Sequence, residues 1–436
     1  MEATFPPTRS ARVGDFSQDL LALRNARVLG INPPVYDFAW FDLWAKPAGL
    51  LQVLGALRER GNEVELLDCM HEGRETPLTC GRWKMRRERV EKPAPYRNVP
   101  RHYHRFGIAV PDLAARLAAM PVPDVVLVTS HMTYWYPGVY ETIRSVRAAF
   151  PSARVVLGGI YATLCPAHAA RSGADTVHVG SLPTRAAAPL PLDLYDAPRF
   201  GVLLTSSGCP LRCDYCASGL LQPEFRQRTP HLVLDDLAYQ AAHAPLADAV
   251  FYDDALLWDK ERHLLPLCRG IGERYPGLRL HAPNGLHVSL LDPACCRALF
   301  DAGLHTIRLS LEGTDDVTAR MGARKAVSGD YLRAVDNLRD AGFQPERIET
   351  YLLVGLPGQR PEAVERAIDE VRAAGGRPKL AEFSPIPQTP AFAAAVRTVP
   401  EIASEPLLHN NTVYAPYVAG TVPPEELQRL KDRARR

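Results

Sequence analysis

Short apolar runs alternate along the chain with stretches of helical spacing. From residue 26, segments 27–31, 63–68, 124–130, 154–159 and 175–180 read as strands. Between them, 47–60, 136–150 and 166–172 repeat apolar residues at helical intervals. The first of these helices stops at Gly61 and the second before Pro151. Strands that are apolar nearly throughout need cover on both faces, so the alternation predicts a doubly wound parallel α/β sheet. A second series starts at residue 200. Its strands lie near 201–207, 248–254, 278–284, 305–312, 347–354 and 379–386, with helices near 230–244, 259–275, 293–302, 329–341 and 361–374. Thr229-Pro230 and Asp292-Pro293 supply a cap and a first turn for two of them. Six such repeats with right-handed crossovers curl into a partial (β/α)6 barrel. The expected division is an arm (1–25), a first domain (26–181), a linker rich in Pro, Ala and Leu (182–199), the barrel (200–396) and a tail (397–436) that ends in a short basic helix.

Chemistry is expected where the strands end, because ligands of such sheets gather outside the carboxyl edge. In the first domain that edge carries Asn32, Asp68, Thr129, Ser130, Gly158 and Gly159. The two glycines let a ligand approach the backbone closely. In the second series the first strand runs into Thr-Ser-Ser-Gly-Cys-Pro-Leu-Arg-Cys-Asp-Tyr-Cys-Ala, which places Cys209, Cys213 and Cys216 at C-x3-C-x2-C spacing. One loop can wrap three thiolates round a corner of a [4Fe–4S] cube, which normally takes four and is left here with one open iron. The alternatives are a zinc site or unrelated core thiols. Structural zinc wants a fourth ligand, usually from a second pair, and the sequence has no such pair. The next strands end in Asp253-Asp254, in Asn284, in Ser310 and Glu312 on one face by period two, and in Gly355. One polar group per strand end makes a binding mouth.

The cysteine spacing, with Tyr215 just before the third thiol, resembles the radical S-adenosylmethionine (SAM) enzymes. That resemblance implies a partial (β/α)6 radical SAM barrel in which Cys209, Cys213 and Cys216 hold the cluster. It implies that the open iron chelates the amino and carboxylate groups of SAM. One electron then breaks the S–C5′ bond and yields a 5′-deoxyadenosyl radical, so an external donor of flavodoxin or ferredoxin type is needed. It further implies that Asp253 and Asp254 receive the ammonium of SAM, that Asn284, Ser310 and Glu312 help hold its carboxylate and ribose, and that Gly355 lies on the turn passing the adenine. Asn32-Pro33-Pro34, the Pro-Ala-Gly-Leu-Leu helix start, Thr129-Ser130 and Gly158-Gly159 resemble the Rossmann-like cobalamin-binding domain that precedes many radical SAM domains. The D-x-H-x-x-G motif that ligates cobalt is absent after the first strand, and Asp68-Cys-Met-His71 has the wrong spacing. Two alternatives stay open: bound cobalamin with methyl transfer to an unactivated carbon, or a domain that keeps the fold and binds substrate.

Composition narrows the classes. The chain has 436 residues, a 46% hydrophobic fraction and a net charge of +2, which gives no overall argument for nucleic acid. No run of about 18 apolar residues is present, so no membrane span is expected. The start of the chain lacks the regions of a signal peptide, and nine cysteines in so long a chain make no disulfide framework. A reducing cytoplasm is the expected location. Residues 70–106 form a basic insertion with interleaved Trp83, Tyr96 and Tyr103. It is either a solvated excursion or a cover that pairs with an anionic group. The substrate, a small molecule or peptide, is not legible. The competing class is an iron–sulfur or zinc protein that binds a partner or carries electrons without turning over SAM.

Overall fold

The computed structural model describes residues 11–183, 189–323, 326 and 329–436. The chain divides into two compact units, one of Met1–Ala197 with Ser404–Leu407, the other of Pro198–Ala403 with Leu408–Arg436.

Unit 1 is built on six parallel strands: β1 (Arg12–Gly14), β2 (Arg27–Asn32), β3 (Glu63–Asp68), β4 (Val125–Val128), β5 (Arg154–Leu157) and β6 (Thr176–His178), in the order β1-β6-β5-β4-β2-β3. Alternate residues feed two cores. Val28, Val125, Leu127 and Val156 meet Leu50, Leu54 and Leu57 of helix α1 (Ala48–Arg58). Leu29, Ile31, Val126, Val128, Val155 and Leu157 meet Val139, Ile143 and Val146 of α2 (Tyr136–Ala149). The apolar strands are thus covered on both faces, as their composition required.

Two segments of unit 1 carry structure that no sequence pattern indicated. The described part of the arm is not loose: Arg12–Gly14 adds a strand beside β6, and Leu20 is buried. Three residues are too few to show a period, so no pattern announced them. The basic insertion folds as well. Val35–Asp37, Arg87–Val90 and Tyr103–Phe106 form a three-stranded antiparallel sheet, and Arg74–Pro77 pairs with Trp83–Met85. Phe38, Tyr96 and Tyr103 cluster with ring centroids 4.9–5.3 Å apart. Arg105 is buried, and its guanidinium meets both oxygens of Glu141 at 2.6–3.1 Å.

Unit 2 is the partial barrel: β7 (Gly201–Leu203), β8 (Asp248–Phe251), β9 (Arg279–His281), β10 (Leu304–Glu312), β11 (Ile348–Val354) and β12 (Arg377–Glu382), parallel and in sequence order. Helices α3 (Pro230–His243), α4 (Leu264–Arg274), α5 (Pro293–Asp301), α6 (Asp330–Ala341) and α7 (Pro361–Ala373) cover the outer face. There Leu203, Ala249, Phe251, Leu280, Ile307, Leu309 and Leu352 form one core with the helices. Three of these five helices, α3, α5 and α7, begin on a proline, and Asp292 caps α5 by accepting from Cys295 N–H, whereas Thr229 ahead of α3 makes no side-chain cap hydrogen bond. The alternate residues, Asp248, His281, Thr306, Arg308 and Ser310 among them, face the inside. The final helix α8 (Pro424–Arg435) docks by Leu427 and Leu430 and by pairs of Arg429 with Glu365 and Arg433 with Asp369. The tail before it is packed rather than free: Tyr414 and Ala415 are buried with Leu356 and Phe383.

Candidate active site

The cysteine loop leaves the end of β7 through a short antiparallel pairing of Ser206–Ser207 with Arg226–Gln227. Gly208 follows with φ +73°, and a Cβ there would stand 2.8 Å from the Glu224 carbonyl oxygen. Only glycine fits both demands. The loop is then tied inward and outward. Arg212 Nη1 donates to the Cys209 carbonyl at 2.7 Å, and its Nη2 to that of Pro223 at 3.1 Å. Asp214 N–H donates to the Met321 carbonyl, and the Asp214 carbonyl accepts from Ala391 N–H. Cys209 is buried, Cys213 half-buried and Cys216 exposed. Three thiols on a pinned loop, graded toward the surface, suit a group held by one corner and open on the other side.

Beneath the loop lies Asp253, buried at the end of β8. Its Oδ1 accepts from Thr205 Oγ1 at 2.8 Å and Ser206 Oγ at 2.5 Å, and its Oδ2 from Thr205 N–H at 3.4 Å. His263 Nε2 stands 2.8 Å from Thr205 Oγ1. Burial pushes the Asp253 carboxyl up to about 6, against the pull of the Ser206 and Thr205 hydrogen bonds. Burial likewise pulls the His263 imidazole down, against the hydrogen bond and charge that favour its protonated form. Asp253 is therefore occupied by the base of the loop, which differs from the sequence expectation of a carboxylate presented to an ammonium. Asp254 points the other way. Its Oδ2 accepts from Ser218 Oγ at 2.7 Å, and Ser218 Oγ and N lie 3.2 and 3.4 Å from Cys216 Sγ. Burial raises the Asp254 carboxyl from its ordinary value.

The other strand ends converge. Asn284 Nδ2 donates to the carbonyls of Tyr252 and Asp253 at 3.1 and 3.4 Å. Gly285 abuts Ser310: a Cβ on it would fall 2.8 Å from Ser310 Oγ. Ser310 Oγ stands 3.5 Å from Glu312 Oε1. Glu312 takes φ +69° at a shift in the β10–β11 register, which turns its carboxylate along the mouth. A Cβ on Gly322 would meet both Glu312 Oε2 and Tyr215 Oη, at 3.2 and 3.3 Å. The Tyr215 hydroxyl is buried with no hydrogen-bond partner among the described residues, an orphan that a bound polar ligand would satisfy. Gly355 stands apart from these groups. Its N–H is taken by Gln359 Oε1, and its α-carbon is backed by Ala415 of the tail.

In unit 1 the expected edge residues divide into two sets. Ser130 is a lock: its hydroxyl donates to the Gly158 carbonyl at 2.7 Å, and Gly159, at φ +94°, presses against its backbone. Thr129 N–H donates to the Ile31 carbonyl. Gly158 is open, with nothing within 4 Å of a Cβ position. Asn32 and Asp68 form a buried polar centre. Asp68 accepts from Asn32 Nδ2 at 2.8 Å, from Tyr195 Oη at 2.7 Å and from the N–H groups of Met70 and His71. Lys46 Nζ lies 4.2 Å from the centre of the Tyr195 ring. Burial and the Arg74 charge pull its ammonium down to about 7, opposed by Asp68 and Asp42. Sequence reasoning missed Lys46, Tyr195, Thr205, Ser206, Ser218 and His263. Ser218 alone carried a signal, its place two residues after Cys216.

Comparison with known proteins returns matches in both units. Residues 203–371 match the family model of the radical SAM superfamily, and residues 101–188 that of the B12 binding domain. An uncharacterized methyltransferase of Pyrococcus horikoshii is 24% identical over 182 residues, 41% of this chain and 38% of that protein. The threonylcarbamoyladenosine tRNA methylthiotransferase MtaB of Thermotoga maritima is 25% identical over 291 residues, 58% of this chain and 64% of that one. The matches thus span less than two thirds of either relative. Among solved structures, the radical SAM methyltransferase TsrM of Kitasatospora setae, with tryptophan and a SAM analogue bound, shares the fold at a TM-score of 0.61 and 19% identity, over 85% of this chain and 76% of that one. The cobalamin-dependent SAM radical enzyme OxsB does so at 0.55 and 12%, over 86% and 55%. Among the described residues no helix is long and apolar enough to cross a membrane.

Proposed function

We propose that this chain, which belongs to the radical SAM superfamily and carries a B12 binding domain ahead of its barrel, is a cobalamin-dependent methyltransferase acting on a carbon of a small molecule. When bound, the cluster with SAM supplies one-electron cleavage chemistry and cobalamin supplies a methyl carrier. The residues of the chain bind, orient and seal. Cys209, Cys213 and Cys216 are the thiolate set for the cluster. Asp254 and the Asn284 region are offered to the ammonium of SAM. Ser310, Glu312 and the orphan hydroxyl of Tyr215 are offered to its carboxylate and ribose, which matches acceptor and donor types to that ligand. Asp253 is a positioning residue that fixes Thr205 and Ser206 under the loop. In unit 1, open backbone at Gly158 and the buried Lys46–Asp68–Tyr195 centre suit a large polar cofactor at the carboxyl edge. The single observation that carries the reading is the convergence of Tyr215, Ser310 and Glu312 on a loop of three thiols graded toward the surface.

Anaerobic, reconstituted and reduced protein should convert SAM to S-adenosylhomocysteine only when cobalamin is supplied. Release of 5′-deoxyadenosine alone, at a rate indifferent to cobalamin, would overturn methyl transfer while leaving the radical SAM assignment intact.

A further inference from the structure

One charged layer on the inner face of the barrel is not used by the strand-end site. Arg308 stands one inward position below Ser310 on β10, and Glu349 is its register partner on β11. Tyr351, the next inward residue of β11, is paired in register with Lys379 of β12. Arg308 Nε donates to Glu349 Oε2 at 3.1 Å, and Lys379 Nζ lies 3.0 Å from Glu349 Oε1. Arg308 Nη1 donates to the Tyr351 hydroxyl, which donates in turn to the Pro283 carbonyl at 3.1 Å.

Every acceptor in this layer is thereby engaged. Among the described residues the capacity left over is donor capacity, from Arg308 Nη2 and the remaining hydrogens of the Lys379 ammonium. Charge is left over as well, since two cations share one carboxylate. The layer beneath does not correct this, because its one carboxylate, Asp248, is taken by Arg279 and His281. Side-chain exposure rises from 13% at Arg308 through 21% at Glu349 to 45% at Lys379, so the layer opens toward the edge strand β12. Closed barrels fill this position with branched apolar residues. Charges held partly out of water repay their desolvation only when their remaining hydrogen bonds are met.

We propose that Arg308 and Lys379 form a subsite for a substrate carboxylate. The inference rests on reading Ser310 and Glu312 as part of the SAM site, because it places the substrate anchor next to them. Two residues along a strand span roughly 7 Å, so a small molecule held at Arg308 reaches the level of Ser310. A single carboxylate matches the surplus of one charge, and its planar oxygens suit a guanidinium edge. A phosphate dianion would overcharge the layer. The substrate class is therefore a small carboxylic acid.

The test uses the full chain, reconstituted and loaded with SAM, and a panel of small carboxylic acids with their primary amides, read by saturation-transfer NMR. At least one acid should bind, and its amide should bind at least about tenfold more weakly. Lys379→Gln should lose that preference and Lys379→Arg should keep it. Acids and amides binding alike, a preference unchanged in Lys379→Gln, or no binding of any acid would each overturn the proposal. The SAM-induced change in the cluster's EPR signal reports the underlying reading separately. Its absence in the parent protein would sink the SAM site, whereas its presence in Lys379→Gln shows that the variant has folded.

Discussion

Replacing Asp253 by asparagine should remove a pH dependence from the stability of the barrel unit. Burial raises this carboxyl from 3.8 to about 6. The folded pKa thus exceeds the unfolded one, so between the two values the native state holds the proton more tightly. The sign follows: the group is neutral and costs nothing at low pH, and its cost grows as pH rises through about 6. A shift of roughly two units at 1.36 kcal/mol each is ~3 kcal/mol in full. Most of the native titration falls above pH 5, and the part lying between pH 5 and 8 is about 1.4 kcal/mol. Asparagine keeps the shape and cannot ionise. Urea unfolding of the cofactor-free chain at pH 5, 6, 7 and 8, localised by amide exchange in β7 and β8, should show the parent losing about 1.4 kcal/mol relative to Asp253→Asn across that window. Parallel curves for the two proteins would refute the reasoning, and would mean that the Thr205 and Ser206 hydrogen bonds hold the carboxylate ionised at no net cost.

Other substitutions probe separate contacts. Gly208→Ala forces a left-handed residue costing roughly 1–2 kcal/mol against a carbonyl 2.8 Å away. Reconstituted iron per chain should fall well below that of the parent, and an unchanged content would show that the loop tolerates a side chain. Ser218→Ala removes the hydroxyl that donates to Asp254 Oδ2 and keeps the Ser218 N–H that donates to Cys216 Sγ, so the cluster's midpoint potential should stay close to the parent's by redox titration, and a clear negative shift would show that the hydroxyl donates to the sulfur instead. In unit 1, Glu141→Ala leaves the buried Arg105 guanidinium without its carboxylate. That should cost about 3–5 kcal/mol in urea unfolding, most of it regained in an Arg105→Met, Glu141→Leu pair. A loss under 1 kcal/mol would mean that water reaches the arginine.

What the sequence revealed tracks how local the cause is. The apolar runs of β2, β4 and β8 identify themselves because every residue is buried by the same two-sided cover. Helices α3, α5 and α7 declare their starts through prolines in the first turn. The cysteines are legible because three ligands on one loop must lie close in sequence. Less local features were hidden. Asp68 and Tyr195 meet across 127 positions, and the segment holding Tyr195 read only as a linker. Thr205, Asp253 and His263 come together from three places along the chain, and none of them interrupts a pattern. The strands of the insertion are three or four residues long, so they carry no period from which pairing can be inferred. Helix α4 begins at Leu264 rather than near 259 because a turn carrying Asp259 at positive φ comes first. The inner layer of Arg308, Glu349 and Lys379 becomes visible only when β10, β11 and β12 are set in register.

The most direct measurement of the central claim is an anaerobic EPR spectrum of the reconstituted, reduced protein with cobalamin, recorded with and without SAM. The account predicts a [4Fe–4S]⁺ signal that changes on adding SAM, loses that response in Tyr215→Phe with Glu312→Gln, and accompanies cobalamin that stays with the protein through desalting. An intact cluster signal indifferent to SAM would contradict it, and would leave an iron–sulfur protein whose strand ends hold something else.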